Sequence, residues 1–466
     1  VNKDSLLDPD DFEGGYVKLI LMMSDTVAEE TEIAIWKFLI KKVSGSYQLM
    51  DFQCEDFFQQ YLEGNYPGSQ YKISGDAVVW AAGIVWDAGI VWTDGTSGSG
   101  QTYGVKVHDV FPNTSGVGNF SDYVCLPLPF GTCYVPIRPA YISTDWFYVL
   151  GPTIANGVAV TYAISKVRSP RDYSAKDEHA ATFNQSTKVN ADGFSFRVFQ
   201  AALDSAPVNG LYAKGDHYYD LPTKFSRSDT ASLTDFADVI KYVLLDMGVD
   251  PLDIKDSTFA AAKAIFAGWG LTCNGAFWKV TTREKALSSL LSQCHSTLII
   301  GEQLELHVLD STSQKTMTAA DIVKPGETGI GSFKHSALAR VLADCGNVNF
   351  SPTDDAQDVS ASSLVATKTL RRHIDDDPLD LPFIQDGPIA RALARLYFQR
   401  KLLKKSEQRI TVKGYGAALL PSDFITITGD NYGGAHDVII DSMTIKKDAA
   451  IDLKCTEFAD IIENYS

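Results

Sequence analysis

Two hydrophobic periods alternate along the chain, and the switches between them divide it. Apolar positions first fall at strand spacing. Gly15-Tyr16-Val17-Lys18-Leu19-Ile20-Leu21 and Ile33-Ala34-Ile35-Trp36-Lys37-Phe38-Leu39-Ile40 precede a turn signal, Ser44-Gly45-Ser46, and then Tyr47-Gln48-Leu49-Met50. Residues 15–50 therefore predict a β-hairpin or meander. Residues 121–205 stay strand-like, with the better strands at 141–150 and 157–167. Within them, Val124-Cys125-Leu126-Pro127-Leu128-Pro129-Phe130-Gly131 is read as no central strand, because each proline lacks a ladder N–H.

Residues 230–300 change to helical spacing. Ser232-Leu233-Thr234-Asp235 resembles a capping arrangement with Asp in the place of Glu, ahead of Phe236, Val239, Ile240, Val243 and Leu244 on one face. Gly248 is the expected C-cap. Further short helices are expected at 257–266, ending near Gly268, and at 284–294, with Leu287, Leu290 and Leu291 on one face. Leu304, Leu306 and Val308 then alternate as a strand. The last unit opens with Asn347-Val348-Asn349-Phe350, followed by a polar loop at 354–363 and a break at Asp375-Asp376-Asp377-Pro378. The clearest helix is 389–405, striped by Ile389, Leu393, Leu396 and Tyr397 and charged by Arg391, Arg395, Arg400, Lys401, Lys404 and Lys405. Strands Ile410-Thr411-Val412, Phe424-Ile425-Thr426-Ile427 and Val438-Ile439-Ile440 close the chain, the last two separated by the turn-rich 429–434.

One segment repeats. Val78-Val79-Trp80-Ala81-Ala82-Gly83, Ile84-Val85-Trp86-Asp87-Ala88-Gly89 and Ile90-Val91-Trp92-Thr93-Asp94-Gly95 stand in tandem, and Thr96-Ser97-Gly98-Ser99-Gly100 follows as a flexible loop. Each copy reads as a short strand broken by a glycine turn. Trp80, Trp86 and Trp92 form either a sugar or partner platform or a self-packing, trimer-packing element.

These patterns predict a β-rich α+β chain: several small β-barrel-like domains with short helices inserted, in a multi-domain arrangement. The expected units are 1–110, a β-rich front carrying the repeat; 111–225, a β domain; 226–330, a small α+β domain; and 331–466, a barrel-like domain with the long helix. The length of 466 residues fits several domains, and 45 % hydrophobic residues suffice for real cores. The abundance of aromatics, Val, Ile and Thr leans toward strands.

Charge and cysteine narrow the chemistry. A net charge of −17 speaks against holding nucleic acid by phosphate contacts, although it suits either simple solubility or a conduit that DNA crosses without sticking. The seven cysteines are scattered with no CxxC, which argues against a disulfide framework and a structural zinc site and for buried thiols in a reducing cytosol. No run of 18 apolar residues is present, so no membrane-spanning helix is expected. The polar start, Val1-Asn2-Lys3-Asp4, has no signal-peptide core and no Met, so the chain is expected either to be processed or to begin after a further segment.

A search for catalysis nominates no catalytic, cofactor-binding or metal-binding residue. HExxH, GxSxG, a P-loop and a GxGxxG opening a helix are all missing. The pair Cys294-His295 is the most tempting, but a cysteine nucleophile needs its base across a pocket, and Cys294 falls on an apolar helical face and reads as a core thiol. Asp375, Asp376, Asp377 and Asp380 lack the glycine and terminal Glu of an EF-hand loop and read as a solvated acidic loop. Paired carboxylates for glycoside hydrolysis leave no mark in a sequence. Arg391 and Arg395, on the basic helix, are read as an ion-pair surface within or between subunits.

Four stretches in order resemble one family. They are Pro127-Leu128-Pro129-Phe130-Gly131 with Val135-Pro136, the tandem helices at 236–248 and 254–268, the helix at 389–403, and Leu419-Leu420-Pro421-Ser422-Asp423-Phe424-Ile425-Thr426-Ile427. Together they resemble the tail hub, or tail-tip, proteins of long-tailed phages and gene transfer agents, over most of residues 10–466. Ser422 replaces that family's usual Gly, so the turn there is expected to differ. The resemblance implies a structural virion protein rather than an enzyme. It implies a homotrimer with two barrel-like domains per subunit, in a pseudo-hexameric ring that docks on the hexameric distal tail protein. Such a ring surrounds the end of the tape-measure protein, meets the central tail fibre and passes DNA without specific binding. The protein would be made in the host cytoplasm and placed at the virion's tail tip, with no cofactor. The competing readings are a glycan-binding adhesin built on Trp80, Trp86 and Trp92 and a tail-associated cell-wall hydrolase.

Overall fold

The computed structural model describes residues 15–24, 30–46, 49–67, 124–142, 145–155, 158–168, 178–179, 184–189, 195–200, 211–220, 230–308, 315–318, 321, 334–337, 345–350, 361–366, 374–403, 406–412, 419, 421, 423–429, 434–445 and 451–457. The front is the expected meander. Strands β1 (Tyr16–Ser24), β2 (Glu30–Ser46) and β3 (Leu49–Asp56) pair antiparallel in the order β1-β2-β3. The chain then buries Phe57 and Phe58, makes one helical turn, α1 (Gln59–Leu62), and enters β4 (Asn65–Tyr66).

The largest sheet is built from β5 (Val124–Ile142), β6 (Asp145–Pro152), β7 (Ile154–Ala155), β8 (Val158–Arg168), β9 (Glu178–His179), β10 (Asn184–Val189), β11 (Ser195–Gln200), β12 (Leu211–Asp220) and β13 (Thr230–Ser232). Its main path runs β10-β11-β6-β5-β12-β8-β7. One expectation is corrected here. The stretch 141–150 is not one strand: Tyr141 and Ile142 end β5 and fold back on Trp146 and Asp145 of β6. The proline-rich run opens β5 and, through Phe130, pairs only with a strand off the main path, as expected of a stretch that is no central strand. The pairing registers explain why the prolines are tolerated. Residues from Val124 to Phe130 pair with β14 (Gly275–Lys279), Gly131 to Ile137 with β12, and Arg138 to Ile142 with β6. Pro129, Pro136 and Pro139 each pair with one neighbour, and Pro127 falls at the register shift with β14, so no missing N–H faces a second ladder.

The helical insert follows: α2 (Phe236–Asp246), a 3-10 turn at Pro251–Asp253, α3 (Asp256–Gly268), β14, β15 (Thr281–Thr282), α4 (Arg283–Gln293), and the hairpin β16 (Ser296–Ile300) with β17 (Leu304–Val308). Ser232 is not the cap of α2, because β13 pairs with β12 and takes Ser232 into the sheet. Asp235 caps instead, its side chain accepting from the Ala237 N–H at 2.8 Å. Nine of the eleven α2 residues are buried, which marks a helix packed on all sides. Gly248 ends it in the left-handed region at φ +96°, as expected. β15 pairs with β4, tying the front of the chain to the insert.

The remaining elements are β18 (Lys315–Met317), β19 (Lys334–Ala337), β20 (Cys345–Phe350), β21 (Ala361–Ala366), β22 (Ile374–Leu381), α5 (Gly387–Leu403), β23 (Ser406–Val412), β24 (Phe424–Gly429), β25 (Gly434–Ile445) and β26 (Ile451–Glu457). The expected break at 375–378 is a bulge within β22: Gly346 pairs with Asp375 and Val348 with Leu379. The polar loop expected to reach 363 gives way to β21 at Ala361. A six-stranded sheet, β18-β24-β25-β26-β23-β19, closes the chain. It buries Ile410, Val412, Ile425, Ile427, Val438, Ile440, Ile451, Leu453 and Cys455 in a core of its own. A second, larger core gathers Phe57 and Tyr66, the β5 interior, α2, α3 and α4, and then Phe383, Leu393 and Ala394. The fold is thus a β-rich α+β arrangement of several small sheets with short helices inserted, and among the described residues each sheet stays open.

Candidate functional site

Trp80, Trp86 and Trp92 lie outside the described residues. Arg391 is exposed on the first turns of α5, while the side chain of Arg395 lies outside the description. Of the acidic run, Asp380 is exposed and the side chains at 375–377 lie outside the description. Among the described residues, no group of three or more His, Cys, Asp or Glu is placed to hold a metal, and no helix is long and apolar enough to cross a membrane.

The structure instead concentrates its fixed polar chemistry at three seams between elements. The first joins β5, β14, α4 and the run into α5. Asn274 accepts from the Thr132 N–H through Oδ1 at 3.0 Å, and its own N–H donates to the Phe383 carbonyl at 2.7 Å. Gln293 Oε1 accepts from the Phe383 N–H at 2.9 Å, and Gln385 Nε2 donates to the Thr132 carbonyl. These bonds satisfy backbone groups that lie away from water. Two glycines permit the approach. A Cβ on Gly275 would sit 2.7 Å from the Pro382 carbonyl oxygen, and one on Gly131, at φ +61°, would sit 2.3 Å from Asn274 Oδ1. Phe130, Phe277 and Phe383 pack their rings around this point, and α5 starts directly after it, with Asp386 accepting from the Ile389 N–H at 3.0 Å.

Lys37 carries the second seam, which docks the front meander on the insert. Its N–H donates to the Gly301 carbonyl, and its ammonium lies 2.7 Å from Asp253 Oδ1, with 15 % of each side chain exposed. The same ammonium stands 4.4 Å from the Tyr16 ring centre and 4.9 Å from that of Phe57. Lys18 pairs with Glu302 alongside, and burial together with Tyr16 and Asp253 pushes the Tyr61 hydroxyl up to about 12. The third seam bridges the two cores: His307 of β17 places Nδ1 3.7 Å from Asp423 Oδ1, at the start of β24, and Nε2 3.9 Å from Glu305 Oε2. His307, then Lys255 at 2.8 Å, hold the Glu305 carboxyl below its ordinary value against the opposing effect of burial.

Cys294, Cys273, Cys133 and Cys455 are enclosed, whereas the Cys54 thiol is exposed. Cys294 is fully buried, bonded to Ser296 Oγ at 2.8 Å, and its thiol is pushed up to about 12 by burial. Burial drives the Cys273 thiol well above its usual range as well. A thiol held protonated in this way is a poor nucleophile. The seam residues were not singled out from sequence, yet two left a signal: Gly275 interrupts a strand, which marks a close approach, and Gln293 continues the buried face of Ala286, Leu287 and Leu290 with a polar side chain.

No family model and no curated protein matches the chain. Among solved structures, it is similar to a chain in the virion of a native gene transfer agent particle, at 10 % identity and a TM-score of 0.49, covering 74 % of this chain and 86 % of that one. It is also similar to the 43 kDa tail protein of prophage MuSo2 from Shewanella oneidensis, at 9 % identity and a TM-score of 0.28, covering 72 % and 94 %. A tail protein from Neisseria meningitidis MC58 follows at 12 % identity and a TM-score of 0.31, covering 59 % and 78 %.

Proposed function

We propose that the chain is a structural, non-catalytic protein of a phage-like tail. In the finer form of this reading it is the homotrimeric hub of the tail tip, linking the distal tail ring to the central fibre and enclosing the path of DNA. The observation that carries the reading is where the family-like stretches lie. Residues 127–136 form part of β5, 236–268 form α2 and α3, and 389–403 form most of α5, all contributing to one core. The fourth stretch, 419–427, leads into β24 of the other core and supplies Asp423 to the bridge between them. The fixed polar contacts of the fold go into joining sheets to one another, which suits a part that carries position rather than turnover. With a charge of −17, a lumen lined by this chain repels phosphates and lets DNA slide. Closed rings also bury the edges that open sheets leave.

Co-expression with the hexameric distal tail protein tests the reading. Cryo-EM of the purified complex is expected to show three copies seated on a sixfold ring around an acidic channel. A complex that never forms, or a strongly basic channel, contradicts it.

A further inference from the structure

The largest sheet ends at β10, and among the described residues no strand lies on its outer side. Edge strands are ordinarily guarded, often by a lysine that projects along them. The only charged residue of β10 is Lys188, and it is turned away from the edge. Its ammonium reaches back over the sheet to stand 4.6 Å from the ring centre of Phe147 in β6. Thr187 is left exposed beside it, and Val189 is 56 % exposed.

The second observation lies one strand in. Arg197 of β11 stands directly opposite Thr187, so the two share a face. Its side chain is half-buried, and its Nε is buried without a hydrogen-bond partner. Among the described residues no carboxylate pairs with it. A charge that gives up water without gaining a partner is costly. Toward β6 its neighbour is Gly151, which has no side chain to offer, and toward β10 it is the short Thr187. Neighbouring strands lie about 4.8 Å apart, so an acidic side chain on a strand added to β10 comes up to Arg197 across Thr187.

We propose that β10 is an assembly edge, where an extended acidic segment of a second copy of this chain adds as a strand and sets a carboxylate on the Arg197 guanidinium. The backbone ladder supplies the attachment, and the planar guanidinium fork selects the carboxylate. Charge complementarity favours a second copy as the occupant. The chain carries 58 acidic residues against 41 basic ones, so each copy offers carboxylates in excess. β10 and β11 contain Lys188 and Arg197 and no acidic residue, which makes this edge cationic on an acidic chain. An edge from one copy and a segment from the next make a head-to-tail contact, the kind that closes a ring. The inference deepens the ring reading above and rests on it for the choice of a second copy.

Hydrogen exchange and analytical ultracentrifugation of the full chain test it together. The amides of 184–189 are expected to exchange more slowly as concentration rises and copies associate. Arg197→Glu is expected to weaken association at least about tenfold and Arg197→Lys by less, while salt at about 0.5 M brings the parent toward the Glu variant. Lys285→Glu, an equal charge change at an exposed site on α4, is expected to leave association as it was. Arg197→Met keeps the aliphatic stem, so it is expected to retain the parent's thermal melt and still lose association. Association that the Glu and Met variants leave unchanged, or exchange in 184–189 that ignores concentration, overturns the inference and leaves the ring reading standing. Slowing that appears only when the distal tail ring protein is added gives the edge to that partner and overturns the second copy as occupant. A parent that stays single at every concentration, with or without that protein, overturns both.

Discussion

Asp235 serves two opposed demands. Its carboxylate caps α2, yet burial pushes its pKa up to about 6, outweighing the Ala237 N–H that favours the charged form. A carboxyl whose folded pKa lies above its unfolded value destabilises the fold while ionised, and the penalty is relieved as pH falls from about 6 toward 3.8. Asp235→Asn keeps an acceptor for the cap and removes the buried charge. Thermal melts are expected to show it more stable than the parent at pH 8, with the gain fading near pH 4. A gain that does not depend on pH would contradict this cause. Gly275 gives a steric counterpart. Gly275→Ala is expected to cost about 1–3 kcal/mol in urea unfolding, because the Pro382 carbonyl and Phe383 leave no space. Gly268→Ala, with nothing within 4 Å of its Cβ position, is expected to be neutral or stabilising. At this scale the sequence was legible where one residue decides, as at Gly248. It misled where a distant strand decided: Ser232 looks like a cap until β12 draws it into a sheet.

Among elements, apolar spacing located the helices, whether packed on one face like α4 or on all sides like α2. The helices α2, α3 and α4, the strand β17 and most of α5 fall where their apolar spacing put them. The exceptions have partners that no local pattern announces. β5 holds its prolines because its three pairing partners are staggered end to end. β12 has Gly215 and Asp216 in its middle, which breaks the apolar alternation of a strand, yet β5 and β8 both pair along it. β26 carries a readable alternation, with Ile451, Leu453 and Cys455 buried. The Lys37 seam was unreadable for a different reason, since Asp253 lies 216 residues away. Lys37→Met keeps the packing and leaves Asp253 without this cation, a loss of about 2 kcal/mol for a charge-assisted bond. Hydrogen exchange is expected to quicken in β1 and β2 while α2 stays protected. Equal quickening in α2 would mean that the meander is not a separately docked element.

At the scale of the whole molecule, two cores are joined through a helical insert and a bridge from His307 to Asp423. The architecture was legible from the sequence as β-rich with inserted helices. The residues proposed to touch partners were less so, because Arg391 is exposed on α5 but a contact surface is defined by the partner as much as by the chain. The central claim, that this chain is a trimeric structural hub, is tested most directly by its mass in solution, measured by analytical ultracentrifugation across a range of concentrations. The expected result is a species of three 50.9 kDa chains that persists on dilution. A stable single chain that stays single when the distal tail ring protein is added would contradict the account.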